Sequence, residues 1–160
     1  MIRLANLIFI AFCILVLSSC GTPLAPKATK QEQEQFKQKI LNMLEQEYSQ
    51  PFKVLDFDYS YETHYPKGNC SDCRVLKYGT YTFKIQAIDN PVIVMSFIIT
   101  DNKNIKGFEE FKSHYIKTKY CVALSQLFLQ KRQNKVNQIN LEKAKQYCDK
   151  KGQNYYKDWE

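Results

Sequence analysis

The hydrophobic period of this chain changes sharply at Pro51, and no other feature restricts its possible folds as much. Before it, Phe36, Ile40, Leu44 and Tyr48 recur every fourth residue, Leu41 and Met43 widen the stripe, and Glu and Gln fill the opposite face. That pattern predicts an amphipathic helix. Thr29 and Glu32 stand at the spacing of a capping box, in which each side chain satisfies the other's backbone amide and starts the helix. Pro51 stops it, because a residue before proline is pushed out of helical geometry. From Phe52 the period is two: Leu55, Phe57, Tyr59 and Tyr61 alternate with Asp56, Asp58 and Ser60, as in a half-buried strand. Phe52 and Val54 have the other parity, so a β-bulge is expected near Val54.

Tyr81, Phe83, Ile85 and Ala87 alternate with Thr80, Thr82, Lys84 and Gln86 and predict a second strand. Asp89-Asn90-Pro91 is a turn signal. Residues 92–99 are apolar on nearly both parities, which predicts a third strand covered on both faces. After a further turn, Phe108, Phe111, Tyr115 and Val122 mark a helical stripe that Ile116, Tyr120, Ala123, Leu124 and Leu127 widen. Residues 131–140 are polar and read as a connector, and residues 141–150 as a last helix stopped by Gly152. The expected fold class is α+β: an N-terminal helix, an antiparallel sheet of three or four strands, and C-terminal helices packed on one face.

The chain opens with Arg3 and an apolar run over residues 4–17 broken only by Asn6. A transmembrane helix needs ~20 such residues and the core of a signal peptide about 7–15, so a secretory signal is expected. The run ends in Leu17-Ser18-Ser19-Cys20-Gly21. These residues resemble the lipobox of bacterial lipoproteins, where an apolar residue and two small ones precede the lipidated cysteine. The resemblance covers the first 21 residues only. It implies cleavage before Cys20, diacylglycerol on the Cys20 sulfur and a further acyl chain on its amine, which together make membrane attachment stable. In that family an aspartate after the cysteine retains the protein in the inner membrane. Gly21 therefore implies the inner leaflet of the outer membrane, facing the periplasm. The expected organisation is a signal peptide over residues 1–19, a lipidated N-terminus and tether over 20–29, and one globular domain over 30–160.

Without the signal the chain carries 22 basic and 16 acidic side chains, unevenly placed. Residues 20–101 hold 9 basic and 10 acidic groups, net −1, and residues 102–160 hold 13 and 6, net +7. A basic half suits anionic lipid, an acidic protein or nucleic acid, and an envelope location makes nucleic acid the weakest of these. Aromatic residues make up 14% of the chain and are expected chiefly in the core. Tyr155, Tyr156 and Trp159 crowd a polar tail, where they either cover a core edge or anchor a partner.

Four cysteines remain in the exported part, Cys70, Cys73, Cys121 and Cys148, and an even number there implies disulfides. Three connectivities are open; Cys70–Cys73 and Cys121–Cys148 is the one expected. Cys70-Ser71-Asp72-Cys73 has the spacing of a redox motif, but a Pro- and Gly-containing loop precedes it and a strand pattern follows. A catalytic pair sits at a helix N-terminus, so a structural bridge is expected here, with thiol redox chemistry as the alternative. Metal binding by the pair is a further alternative, which His64 could complete; a solvated loop histidine is the simpler reading of His64 and a surface role that of His114. There is no Gly-x-Ser-x-Gly elbow, Ser-x-x-Lys pair or glycine-rich phosphate loop. Asp56, Asp58 and Glu62 read as the wet side of a strand and not as paired catalytic carboxylates.

These readings predict a non-catalytic, lipid-anchored protein-binding module, of which an immunity or inhibitor protein is one version, needing neither cofactor nor metal. The expected partner surface comprises Lys112, Lys117, Lys119, Tyr155, Tyr156 and Trp159. A carrier of lipid or a small ligand is the other alternative, and it requires an apolar cavity beneath the sheet.

Overall fold

The computed structural model describes residues 22–23, 25–65, 76–101 and 107–159. The signal segment, Cys20, and the loop with Cys70 and Cys73 lie outside them.

Helix α1 spans Lys30–Tyr48 and begins with the expected capping box: Glu32 N donates to Thr29 Oγ1 at 3.3 Å, and Thr29 N donates to Glu32 Oε2 at 2.7 Å. Those bonds from Thr29 hold the Glu32 carboxyl below its ordinary range. Ile40, Leu44 and Tyr48 are buried, and Phe36 packs its ring 4.3 Å from that of Tyr81.

Three long strands form an antiparallel meander: β2 (Phe52–His64), β3 (Leu76–Ala87) and β4 (Val94–Asp101), with β3 in the centre. The register shifts between Val54 and Asp56, which is the bulge the parity demanded. Leu55 departs from expectation: it is the extra residue of the bulge and stays 45% exposed, so Phe52 and Val54 share the inner face with Phe57, Tyr59 and Tyr61. On β3 the alternation holds throughout, and Tyr81, Phe83, Ile85 and Ala87 are buried. Gly79 on the same face meets the Tyr59 ring, which occupies the space a Cβ would need.

β4 corrects a second expectation. Met95, Phe97 and Ile99 are buried but Ile98 is 64% exposed, because helices cover one face of the sheet only. Two chain directions that both looked buried therefore differ fully in environment. β2 also runs further than expected, to His64, whose ring stacks on Tyr78 at 3.7 Å, so this histidine lies in a strand and not in a loop.

The expected tether is partly docked. Strand β1 (Thr22–Pro23) pairs in parallel with Leu76–Lys77. Ala25 is buried, Tyr61 Oη donates to its carbonyl at 2.9 Å, and Ala28 N donates to Tyr59 Oη at 2.9 Å. Two tyrosine hydroxyls on the inner face thus supply bonds to a segment too short for secondary structure of its own.

The single helix expected after the sheet is broken. A short α2 (Gly107–Glu110) runs into a π-helical turn, Phe111–Tyr115, where Ile116 N donates to Phe111 O at 2.8 Å. Helix α3 follows at Lys119–Leu129. The extra residue of the π-turn shifts the helical phase, so Phe111, Ile116, Tyr120, Leu124 and Phe128 are buried and Val122, expected inside, is 37% exposed.

Helix α4 spans Gln138–Lys150, three residues earlier at its start than expected, because Asn137 caps it by accepting from Asn140 N at 3.0 Å. Gly152, at φ 66°, closes it: Gln153 N donates to Cys148 O and Gly152 N to Asp149 O, the bond pair of a Schellman motif. Buried Asn90 ties the far turn of the sheet to both helices, donating through Nδ2 to Tyr120 Oη at 3.2 Å and to Asn140 O at 2.9 Å.

Candidate functional site

β4 pairs only with β3 among the described residues, and α3 packs beside it. Between them opens a groove of about 630 Å³, within the size range of ligand sites. Residues from the outward side of the sheet form one wall: Lys84 and Gln86 on β3, Val94 and Ser96 on β4. The other wall is the side of α3 turned toward the sheet edge, Val122, Ala123, Gln126 and Leu127. Gln130, Arg132 and Val136, from the connector read as merely polar, close one end.

Three cations line this groove, Lys84, Lys119 and Arg132, and no carboxylate does. None of the three is held in an ion pair among the described residues. Lys119 is recessed: it is half-buried, and this burial lowers its pKa below the ordinary lysine value because desolvation disfavours the charged amine. Its Nζ lies 5.2 Å from the Tyr115 ring centroid, a contact suited to a partly desolvated cation. The groove brings together charge, amide groups and aliphatic surface, but no acid–base pair and no thiol.

The structure does not bring the six residues of the expected partner surface together in the groove. Of the six only Lys119 lines it. Lys112 and Lys117 are exposed on the π-turn and the turn after it. Tyr156 is 1% exposed, stacks 5.3 Å from Phe128 and donates to Asp149 Oδ2 at 2.9 Å, so it is a core residue and leaves the partner set. Asp149, also bonded by Lys157, is held below its ordinary carboxylate range. Tyr155 and Trp159 remain 43% and 51% exposed on the terminal turn, which Ser125 Oγ fastens to α3 by donating to Tyr155 O at 3.3 Å.

Cys121 and Cys148 are bonded, with Cα atoms 5.6 Å apart, and tie the first turn of α3 to the end of α4. The bridge is buried and supports the wall of the groove from behind. Lys84, Arg132 and the glutamines were not singled out from sequence. Lys84 looks like any outward residue of a strand, and nothing local marks it as facing α3.

Among the described residues no helix is long and apolar enough to cross a membrane, and no cluster of His, Cys, Asp or Glu is arranged to hold a metal ion. No protein-family model matches the chain, and neither a curated protein nor a solved structure matches it.

Proposed function

We propose that this is a lipid-anchored envelope protein that binds another protein without catalysing a reaction, attached through Cys20 to the inner leaflet of the outer membrane. The groove carries this reading: it collects three cations without a carboxylate beside aliphatic side chains, which is a surface for recognition and not for bond-making. The Leu17-Ser18-Ser19-Cys20-Gly21 sequence supports the anchor. An immunity or inhibitor protein that neutralises an arriving toxin or hydrolase is one form of this function.

Strand β1 and the groove lie at opposite ends of β3. Cys20 is two residues before Thr22, at most about 7 Å of extended chain, and β1 pairs with the first residues of β3. Lys84 and Gln86 lie eight to ten residues further along β3, roughly 25–35 Å away at strand spacing. Acyl chains at Cys20 would therefore leave the groove free to face the periplasm.

Two measurements in cells of the native host test this. Alkynyl-palmitate labelling is expected to mark the wild type and to be lost in C20A; an unlabelled, uncleaved wild-type protein overturns the anchor. A photo-crosslinking residue in place of Gln126, on the groove wall, is expected to trap a discrete envelope protein, whereas one in place of Thr82 on the open sheet face is not. Absence of any product from Gln126 overturns the binding role.

A further inference from the structure

The position of the cations along the groove restricts what can lie in it. Lys119 opens α3 and Arg132 follows its end, and the helix alone places about 15 Å between its first and last residues. Lys84 faces the groove from the sheet. Aliphatic Val94, Val122 and Leu127 occupy the space between the charged ends. An amphiphile with one headgroup meets only one end of such a groove. A flat bilayer surface does not reach the recessed Lys119 as easily as the exposed Lys112 and Lys117. Nucleic acid would gain no base stacking, since no aromatic ring lines the walls.

We propose that the groove receives an extended polypeptide segment of about five or six residues, with acidic side chains at both ends and apolar ones between, whose carboxylates pair with Lys119 and Arg132. This rests on the protein-binding role above and gives it a recognition chemistry. The three cations, none in an ion pair among the described residues, supply the charge complementarity, and Gln86, Gln126 and Gln130 add side-chain amides to the lining, with Gln130 Oε1 accepting from Arg132 Nη1 at 3.5 Å. Gln86 Nε2 donates to Pro91 O at 2.7 Å, which fixes the amide and leaves its carbonyl oxygen and second N–H for a bound chain. Lys84 contributes less than the other two, because Asp56 stands opposite it in the sheet register and lowers the local potential.

The test uses the full chain in detergent micelles and a fluorescent hexapeptide, Glu-Glu-Val-Leu-Glu-Glu, followed by anisotropy. Saturable binding is expected, weakened about tenfold in K119Q/R132Q, since each partly exposed pair contributes a few-fold. Removing the same charge from the outside of α4, in K143Q/K150Q, is expected to change it less than about twofold. The Gln-Gln-Val-Leu-Gln-Gln analogue is expected to bind at least about tenfold more weakly. Thermal midpoints check that the variants fold, and K84Q, on the sheet wall, provides a variant outside α3 with an expected loss of about two- to threefold. Equal losses in the two double variants, equal binding of the neutral peptide, or no binding of the acidic one overturns the proposal. So does a K119Q/R132Q variant that loses binding to phosphatidylglycerol vesicles while keeping the peptide. Failure of the peptide with the Gln126 cross-link intact removes the acidic-segment inference alone; loss of the cross-link with peptide binding intact removes the protein-binding role.

Discussion

The two faces of the sheet are built from the same three strands, residue by residue in alternation, yet they obey different rules. On the inner face Tyr81, Phe83, Ile85, Met95, Phe97 and Ile99 are buried under α1, the π-turn and α3, and their rings touch: Phe83 lies 5.3 Å from Phe97, and Phe97 lies 4.6 Å from Phe111. On the outer face Thr80, Thr82, Lys84 and Ser96 meet solvent, and so does Ile98. Strand hydrogen bonds satisfy the backbone on both sides equally, so the difference lies in side-chain cover alone. The groove forms where this division breaks down, at the end of the sheet where α3 rises past the edge of β4 and half-covers Val94. A recognition surface arises at the boundary between a closed face and an open one, because only there do aliphatic and charged side chains share a wall.

The comparison is sharpest at neighbouring positions of β3. Phe83→Ala empties a fully buried site and is expected to cost about 3–5 kcal/mol, whereas Thr82→Ala beside it stays within about 0.5 kcal/mol, both read by chemical denaturation. Similar losses at the two positions would abolish the distinction between the faces. Alkali probes the inner side without mutation. Burial raises the pKa of Tyr81 to about 12 and raises those of Tyr48, Tyr59, Tyr120 and Tyr147 as well. The folded state therefore holds these protons more tightly than the unfolded chain does, where tyrosine titrates near 10. This stability is fully present below pH 10 and is lost as pH rises through the folded values. The thermal midpoint is expected to fall steeply above pH 10; a flat profile there would show that these hydroxyls are solvated. The smallest effect is expected at Ile98→Thr, within about 0.5 kcal/mol, since an outward side chain is already 64% exposed. A loss above about 1.5 kcal/mol would mean that something covers the outer face.

Much of this fold was legible in the sequence. Thr29 with Glu32, the stripe from Phe36 to Tyr48, the parity change at Val54 and the helix stop at Gly152 all act through residues within a few positions of one another. Each was found where its local chemistry placed it. The Cys121–Cys148 bridge is the pairing expected among three connectivities, and the structure shows that it joins α3 to α4. Residues 92–99 misled because an apolar run reports affinity for cover and not its presence; Ile98 has the affinity and lacks the cover. Of the two roles open to the tail aromatics Tyr156 takes the core-covering one, and a polar tail gives no sign that Phe128 is the ring it meets. The groove was the least visible part. Lys84, Lys119 and Arg132 come from a strand, a helix start and a connector, and only the packing of α3 beside β4 brings them to one groove.

By itself the sequence determined the first helix with its cap, the three long strands, the helical character of the last third, the α+β class and the excess of positive charge in the second half of the chain. Those properties follow from successive backbone dihedrals and from composition, which neighbouring residues control. Tertiary structure alone decided which sheet face is covered, which aromatic rings are interior, and that three cations without a carboxylate border one cavity. Cover and proximity depend on segments tens of residues apart meeting in space, and no window of neighbouring residues contains that meeting.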